Sequence, residues 1–190
     1  MGAQGCFCSV GGVPYVETLK EAAKYAAAVL AIGSCAAWGG IQATRPNPTQ
    51  SAPIQQVIPG KAVVNIPGCP PIPEVIAGVV LQYSLFGKLP ELDSQGRPSR
   101  FFGKTVHEGC SRKPFFEAGQ FVEYYGDNAS KAGWCLYKLG CRGPSTFNSC
   151  AAMGWWQGLS YPIQAGSPCI GCSDADSWDD DSFSGFSGRE

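Results

Sequence analysis

Ten cysteines and a single histidine are the residues of this 190-residue chain best suited to do chemistry. In the second half they stand as His107-x-x-Cys110, Cys135, Cys141, Cys150 and Cys169-x-x-Cys172. Three uses compete for them: disulfides, a zinc site, or iron–sulfur clusters. The even count fits disulfides as well as metal, so it decides nothing alone. Disulfide frameworks suit small secreted domains, and Met1-Gly2-Ala3-Gln4-Gly5-Cys6 has neither the basic nor the apolar region of a signal peptide. A Cys-x-x-Cys step puts two thiolates on one tight turn facing a common metal, which suits zinc or a cluster. Zinc predicts paired knuckles of this kind, and only one is present. The wide, irregular spacing fits clusters better. Gly140, Gly143 and Gly171 flank these cysteines, and glycine lets backbone N–H groups approach sulfur and tune its reduction potential.

Two more cysteines follow short apolar runs. Ala28–Ile32 leads into Gly33-Ser34-Cys35, and Ala62–Ile66 leads into Pro67-Gly68-Cys69. Short length and the following glycine predict buried strands that end in loops. Before the first run, Val16, Leu19, Ala23, Ala26 and Ala27 recur at helical spacing between charged residues. After the second, Ile72–Leu85 reads as a helix with Pro73 in its first turn. Helix–strand–loop and strand–loop–helix are pieces of a parallel α/β sheet. Ligands of such sheets gather outside the carboxyl ends of the strands, where Cys35 and Cys69 both fall. Two cysteines at equivalent strand ends are what half of one metal site would need.

Beyond about Pro90 the pattern changes. Arg97-Pro98-Ser99-Arg100 has the composition of a linker or turn. Phe121, Val122 and Tyr125 have helical spacing and predict one or two short helices within Glu117–Ala132. From Gly133 onward no period is sustained, and metal ligation would supply the organisation that regular structure does not. Asp174–Glu190 is acidic and rich in Ser and Gly, the composition of a solvated, partly disordered tail.

Composition sets limits. Charged residues make up 15% of the chain, well below the usual quarter, which suggests a surface covered in part by a partner. A net charge of −1 gives no electrostatic case for nucleic acid. No run of eighteen apolar residues marks a transmembrane helix.

Six phrases in order carry a more specific signal: Gly33-Ser34-Cys35-Ala36-Ala37-Trp38-Gly39-Gly40, Pro46-Asn47-Pro48-Thr49-Gln50, Ile66-Pro67-Gly68-Cys69-Pro70-Pro71, His107-Glu108-Gly109-Cys110-Ser111-Arg112-Lys113-Pro114, Gly133-Trp134-Cys135-Leu136-Tyr137-Lys138-Leu139-Gly140-Cys141 and Cys169-Ile170-Gly171-Cys172. With them the chain resembles the small, electron-transfer subunit of nickel–iron hydrogenases, from roughly Gly11 to Asp179. The resemblance implies part of a flavodoxin-like α/β domain over residues 1–92. An irregular iron–sulfur domain with an acidic tail would follow over residues 93–190.

By the same resemblance, His107, Cys110, Cys135 and Cys141 hold a distal [4Fe–4S] cluster, and Cys150, Cys169 and Cys172 hold a medial [3Fe–4S] cluster. Pro162 lies near the place of a fourth medial ligand and offers none. Cys35 and Cys69 supply two of four ligands to a proximal [4Fe–4S] cluster. The other two belong to an upstream segment that this sequence does not contain, so it reads as a fragment of the family pattern. Two alternatives stand beside that reading: a separate polypeptide that supplies the missing pair, or recruitment of Cys6 and Cys8. Gly40 stands where oxygen-tolerant members carry an extra cysteine, which implies an ordinary proximal cluster and an oxygen-sensitive enzyme. The implied partners are the hydrogen-splitting large subunit and an acceptor such as a cytochrome; the implied location is periplasmic or membrane-associated. Trp155 and Trp156 serve either an interface or packing around the medial cluster. A zinc-stabilised, non-catalytic binding protein is the reading from a different class. A module like the cluster-bearing subunit of respiratory NADH dehydrogenase would share the α/β part but leave the span from His107 to Cys172 unexplained.

Overall fold

The computed structural model describes residues 7–178. Cys6 and most of the acidic tail lie outside the described residues. Two compact units divide the chain, Met1–Ser99 and Arg100–Glu190.

The first unit opens with a ribbon of two antiparallel strands, β1 (Ser9–Val10) and β2 (Val13–Pro14). Gly11 and Gly12 join them with φ of 58° and 81°, the sign that a two-residue hairpin turn needs at both central positions. Helix α1 (Tyr15–Tyr25) turns Leu19 and Ala23 inward. Strand β3 (Val29–Ile32) pairs in parallel with β4 (Val63–Ile66), in the register Val29 to Val63 through Ile32 to Ile66. Leu19 and Ala23 pack with Ala31, Ala37, Ile54 and Ile58 into one core cluster. Ile54 comes from α3 (Ile54–Val57). Val64 and Ile66 are fully buried in β4.

The predicted α/β order holds here, with one correction. Cys35 does not sit in an open loop. It is the second residue of a short helix, α2 (Ser34–Trp38). Gly33, at φ 87°, makes the bend out of β3 that a side chain would resist, and Ala36 and Ala37 favour the helical turn that follows. The second predicted helix forms as α4 (Pro73–Phe86), with proline in the first turn. Gly87 ends it in the left-handed conformation and donates to the Tyr83 carbonyl.

The second unit is held mostly by loops. Its helices are single turns: α5 (Ser99–Phe102), α6 (Lys113–Glu117), α7 (Asn128–Lys131) and α8 (Cys150–Met153). Strand pairing among its described residues is limited to isolated bridges: Thr105 with Phe147, Phe121 with Cys135, and Trp155 with Ser160. Phe121, Val122 and Tyr125 are therefore not helical. Gly119 and Gly126, both at positive φ, bracket them. The Val122 N–H donates instead to the Cys135 carbonyl, and the Cys135 N–H to that of Gln120. This pairing fixes the backbone of a predicted ligand. Of the helices expected within Glu117–Ala132, only α7 forms. Asp127 caps it by accepting from the Ser130 N–H.

Candidate metal centres

In the first unit the loops after the two parallel strands are laced together. The Gly33 N–H donates to the Ile66 carbonyl at 2.9 Å, and the Ser34 N–H to that of Gly68 at 3.0 Å. The buried Ser34 hydroxyl accepts from the Gly68 N–H at 3.0 Å. Cys35 and Cys69 thus follow neighbouring strands at the same end of the sheet, and both are exposed. The Cys35 thiol contacts Gln42 Oε1 at 3.7 Å.

In the second unit, four residues far apart in sequence line one cavity. His107, Cys110, Cys135 and Cys141 line one small cavity, together with Arg112 and Tyr137. The His107 ring packs edge-on against Phe116 at 4.7 Å, and Phe116 packs in turn on Phe121 and Tyr137. Burial, followed by the nearby Lys113 charge, lowers the His107 pKa. The imidazole is thereby kept neutral, the form that ligates metal. Burial raises the Cys135 and Cys141 thiols, and the Arg112 charge works against that rise at both. The Cys110 sulfur accepts from the Arg112 N–H, and the Cys141 sulfur from the Cys169 N–H, each at 3.4 Å.

The remaining thiols are also buried or half-buried. Cys150 opens α8. Cys169 feels the charges of Cys141 and Cys172, and burial pushes its pKa up to about 12. Pro162 lies in a turn and accepts from the Ser167 N–H. Trp156 is 66% exposed, whereas the Trp155 indole nitrogen is buried.

Among the described residues no three His, Cys, Asp or Glu side chains converge as they would on a single ion. Ligands of a cluster stand around a cube of iron and sulfide and need no such convergence. Two buried donors support the fit. Trp155 Nε1 has no partner in the chain and faces Cys150, whose thiol it shifts down against the larger effect of burial. The Tyr161 hydroxyl is likewise buried without a partner, beside Ser111 and Cys110. A buried N–H or O–H left unpaired is costly, and the sulfide and thiolate of a cluster would accept from both. Sequence reasoning did not pick out Arg112 or Tyr161. A charged residue inside the His107–Pro114 phrase of a chain this poor in charge was the available signal for the first.

The raised Cys169 thiol gives an expected result. In cluster-free chain at pH 8, Cys169 is alkylated roughly a thousandfold more slowly than an ordinary exposed thiol, because only the thiolate reacts. Peptide mapping after timed iodoacetamide treatment checks this; labelling of Cys169 as fast as exposed Cys8 contradicts it. The stability sign follows. The folded chain holds this proton more tightly than the unfolded one, so its contribution is intact below about 9 and is lost as pH rises towards about 12.

The chain is thus cysteine-rich and built in two parts, an α/β unit with cysteines after neighbouring strands and a loop-built unit with a thiol- and imidazole-lined cavity. Residues 102–184 match the family model for the C-terminal part of the NiFe/NiFeSe hydrogenase small subunit. Residues 4–83 match "NADH ubiquinone oxidoreductase, 20 Kd subunit". The uptake hydrogenase small subunit of Azotobacter vinelandii is 54% identical over 96% of this chain and 51% of its own length. The hydrogenase-1 small chain of Escherichia coli K12 is 47% identical over 96% and 49%. Among solved structures, the reduced, active Ni–Fe–Se hydrogenase from Desulfomicrobium baculatum superposes with a TM-score of 0.82 at 33% identity, over 92% of this chain and 67% of that one. The recombinant [NiFeSe] hydrogenase from Desulfovibrio vulgaris Hildenborough does so with 0.80 at 35%, over the same shares. The chain belongs to the NiFe/NiFeSe hydrogenase small-subunit family. It spans about half the length of the curated relatives it matches.

Proposed function

We propose that this chain is the electron-transferring part of a nickel–iron hydrogenase, carrying electrons between a hydrogen-splitting large subunit and an external acceptor. The observation that carries this reading is the single cavity lined by His107, Cys110, Cys135 and Cys141, in a chain of this family. Iron–sulfur clusters, when bound, take up and release single electrons at potentials set by their surroundings. The chain's own residues hold and tune them. His107, Cys110, Cys135 and Cys141 would bind a distal [4Fe–4S] cluster, and Cys150, Cys169 and Cys172 a medial [3Fe–4S] cluster. Cys35 and Cys69 would supply two of the four ligands of a proximal [4Fe–4S] cluster.

The physical logic is one of distance. Electron tunnelling decays steeply with separation, so a buried catalytic metal needs carriers spaced through the protein. Phe116 packs on the His107 ring and is itself held by Phe121 and Tyr137, and a neutral imidazole in place of a thiolate raises the potential of that centre. The acceptor, such as a cytochrome, would dock near His107. The periplasmic or membrane-associated location belongs to the same proposal. No helix among the described residues is long and apolar enough to cross a membrane.

Anaerobic purification of the tagged chain with its large subunit tests the reading. Nickel, iron and acid-labile sulfide in one complex, reducing an artificial acceptor with hydrogen, is the expected result. Zinc without sulfide and without nickel would point to the zinc-stabilised binding protein instead.

A further inference from the structure

We infer that Arg112 is a positioning residue of the distal centre, tying together the loops around it and facing its ligands with an uncompensated positive charge. This rests on the cluster reading above. Arg112 Nη1 donates to the Trp134 carbonyl at 2.7 Å, one residue before Cys135. Its Nε donates to the Ile163 carbonyl at 3.0 Å, across a separation of 51 residues. Its backbone N–H reaches the Cys110 sulfur at 3.4 Å. One residue therefore fastens the His107–Cys110 turn, the Trp134–Cys135 segment and the loop at Ile163.

The charge matters as much as the fork. Arg112 is the only Lys or Arg among the described residues lining the cavity. Both guanidinium bonds go to neutral carbonyls, and among the described residues Arg112 makes no ion pair. Its charge is thus left to face the three thiols that line the same cavity, Cys110, Cys135 and Cys141. Three thiolates in a half-buried site need such compensation. Lysine keeps the charge but lacks the planar fork, so the two roles separate by substitution.

In the assembled complex, Arg112→Gln is expected to move the distal centre to lower potential in an EPR-monitored redox titration. Arg112→Lys is expected to hold the potential near wild type while losing iron to a chelator about tenfold faster or more, the scale of outer-shell effects on metal affinity. If Arg112→Gln fails to assemble, the chelation rate of Arg112→Lys decides alone, and a wild-type rate overturns the inference. Wild-type potentials and chelation rates in both variants overturn it too, with the cluster reading intact. A wild-type complex that has no distal [4Fe–4S] centre overturns the cluster reading, and this inference with it.

Discussion

Changing Cys141 to serine removes about four iron atoms per complex, the content of one [4Fe–4S] cluster, and abolishes most hydrogen-dependent reduction of an external acceptor. Cys141 is chosen for its position. Its sulfur lines the cavity with His107, Cys110 and Cys135 and also accepts from the Cys169 N–H. It therefore joins the proposed distal set to the turn that carries part of the proposed medial set. Serine offers a harder oxygen that is protonated at neutral pH, a poor exchange for a thiolate bound to iron. The Cys169 N–H loses its sulfur acceptor at the same time, so a smaller shift at the medial centre should accompany the loss. Iron and sulfide assays, with Cys8→Ser as the comparison, check the result. Cys8 is exposed, and its replacement should leave iron unchanged. Full iron content in the Cys141 variant would remove that residue from the ligand set.

The second large effect falls at Gly40. Its backbone, at φ 68° and ψ −165°, lies in a region essentially reserved for glycine. A Cβ there would stand 2.7 Å from the Cys35 sulfur and 2.9 Å from the Cys35 Cα. Gly40→Ala therefore carries roughly 1–3 kcal/mol of backbone strain and about 1–3 kcal/mol of overpacking. Relief comes only by moving Cys35 or the turn that holds it. Cys35 belongs to α2, whose first residue is bonded to the loop after β4, so the disturbance should reach the β3–β4 pair. Hydrogen exchange of the β3 and β4 amides reads this locally. Faster exchange there, with the second unit unchanged, is expected; wild-type protection in both strands would contradict it. Glycine at this position leaves the Cys35 sulfur room, as its proposed role in ligating a cluster requires.

The first unit was legible because its signals are local. Ala28–Ile32 is a continuous apolar run and Ala62–Ile66 is one interrupted only by Asn65, and they became β3 and β4 with one residue trimmed from each. Pro73 marked the first turn of α4. The β1–β2 ribbon was not foreseen, because two-residue strands carry no period to read. α2 was missed for a similar reason: five residues after a glycine resemble a loop until Ser34 is seen bonded across to Gly68.

The second unit shows the opposite balance. Its secondary structure was hard to read, and the spacing of Phe121, Val122 and Tyr125 misled, because pairing with Cys135 overrode a weak local preference. Its candidate site was far easier to locate. His107, Cys110, Cys135 and Cys141 are spread over mostly irregular chain, yet line a single cavity. Residue chemistry marked them as candidate ligands, and the family resemblance grouped the four into one set. Arg112 and Tyr161 escaped because their importance lies in what they touch: carbonyls at Trp134 and Ile163 for one, the neighbourhood of Cys110 for the other. Neither contact is written in local sequence.

Low-temperature EPR of the anaerobically purified, mildly oxidised complex, with iron and sulfide assayed on the same sample, tests the relay most directly. An oxidised [3Fe–4S] signal that disappears on reduction, and is lost in Cys150→Ser, is the predicted result. An EPR-silent complex that contains zinc and no sulfide would contradict it.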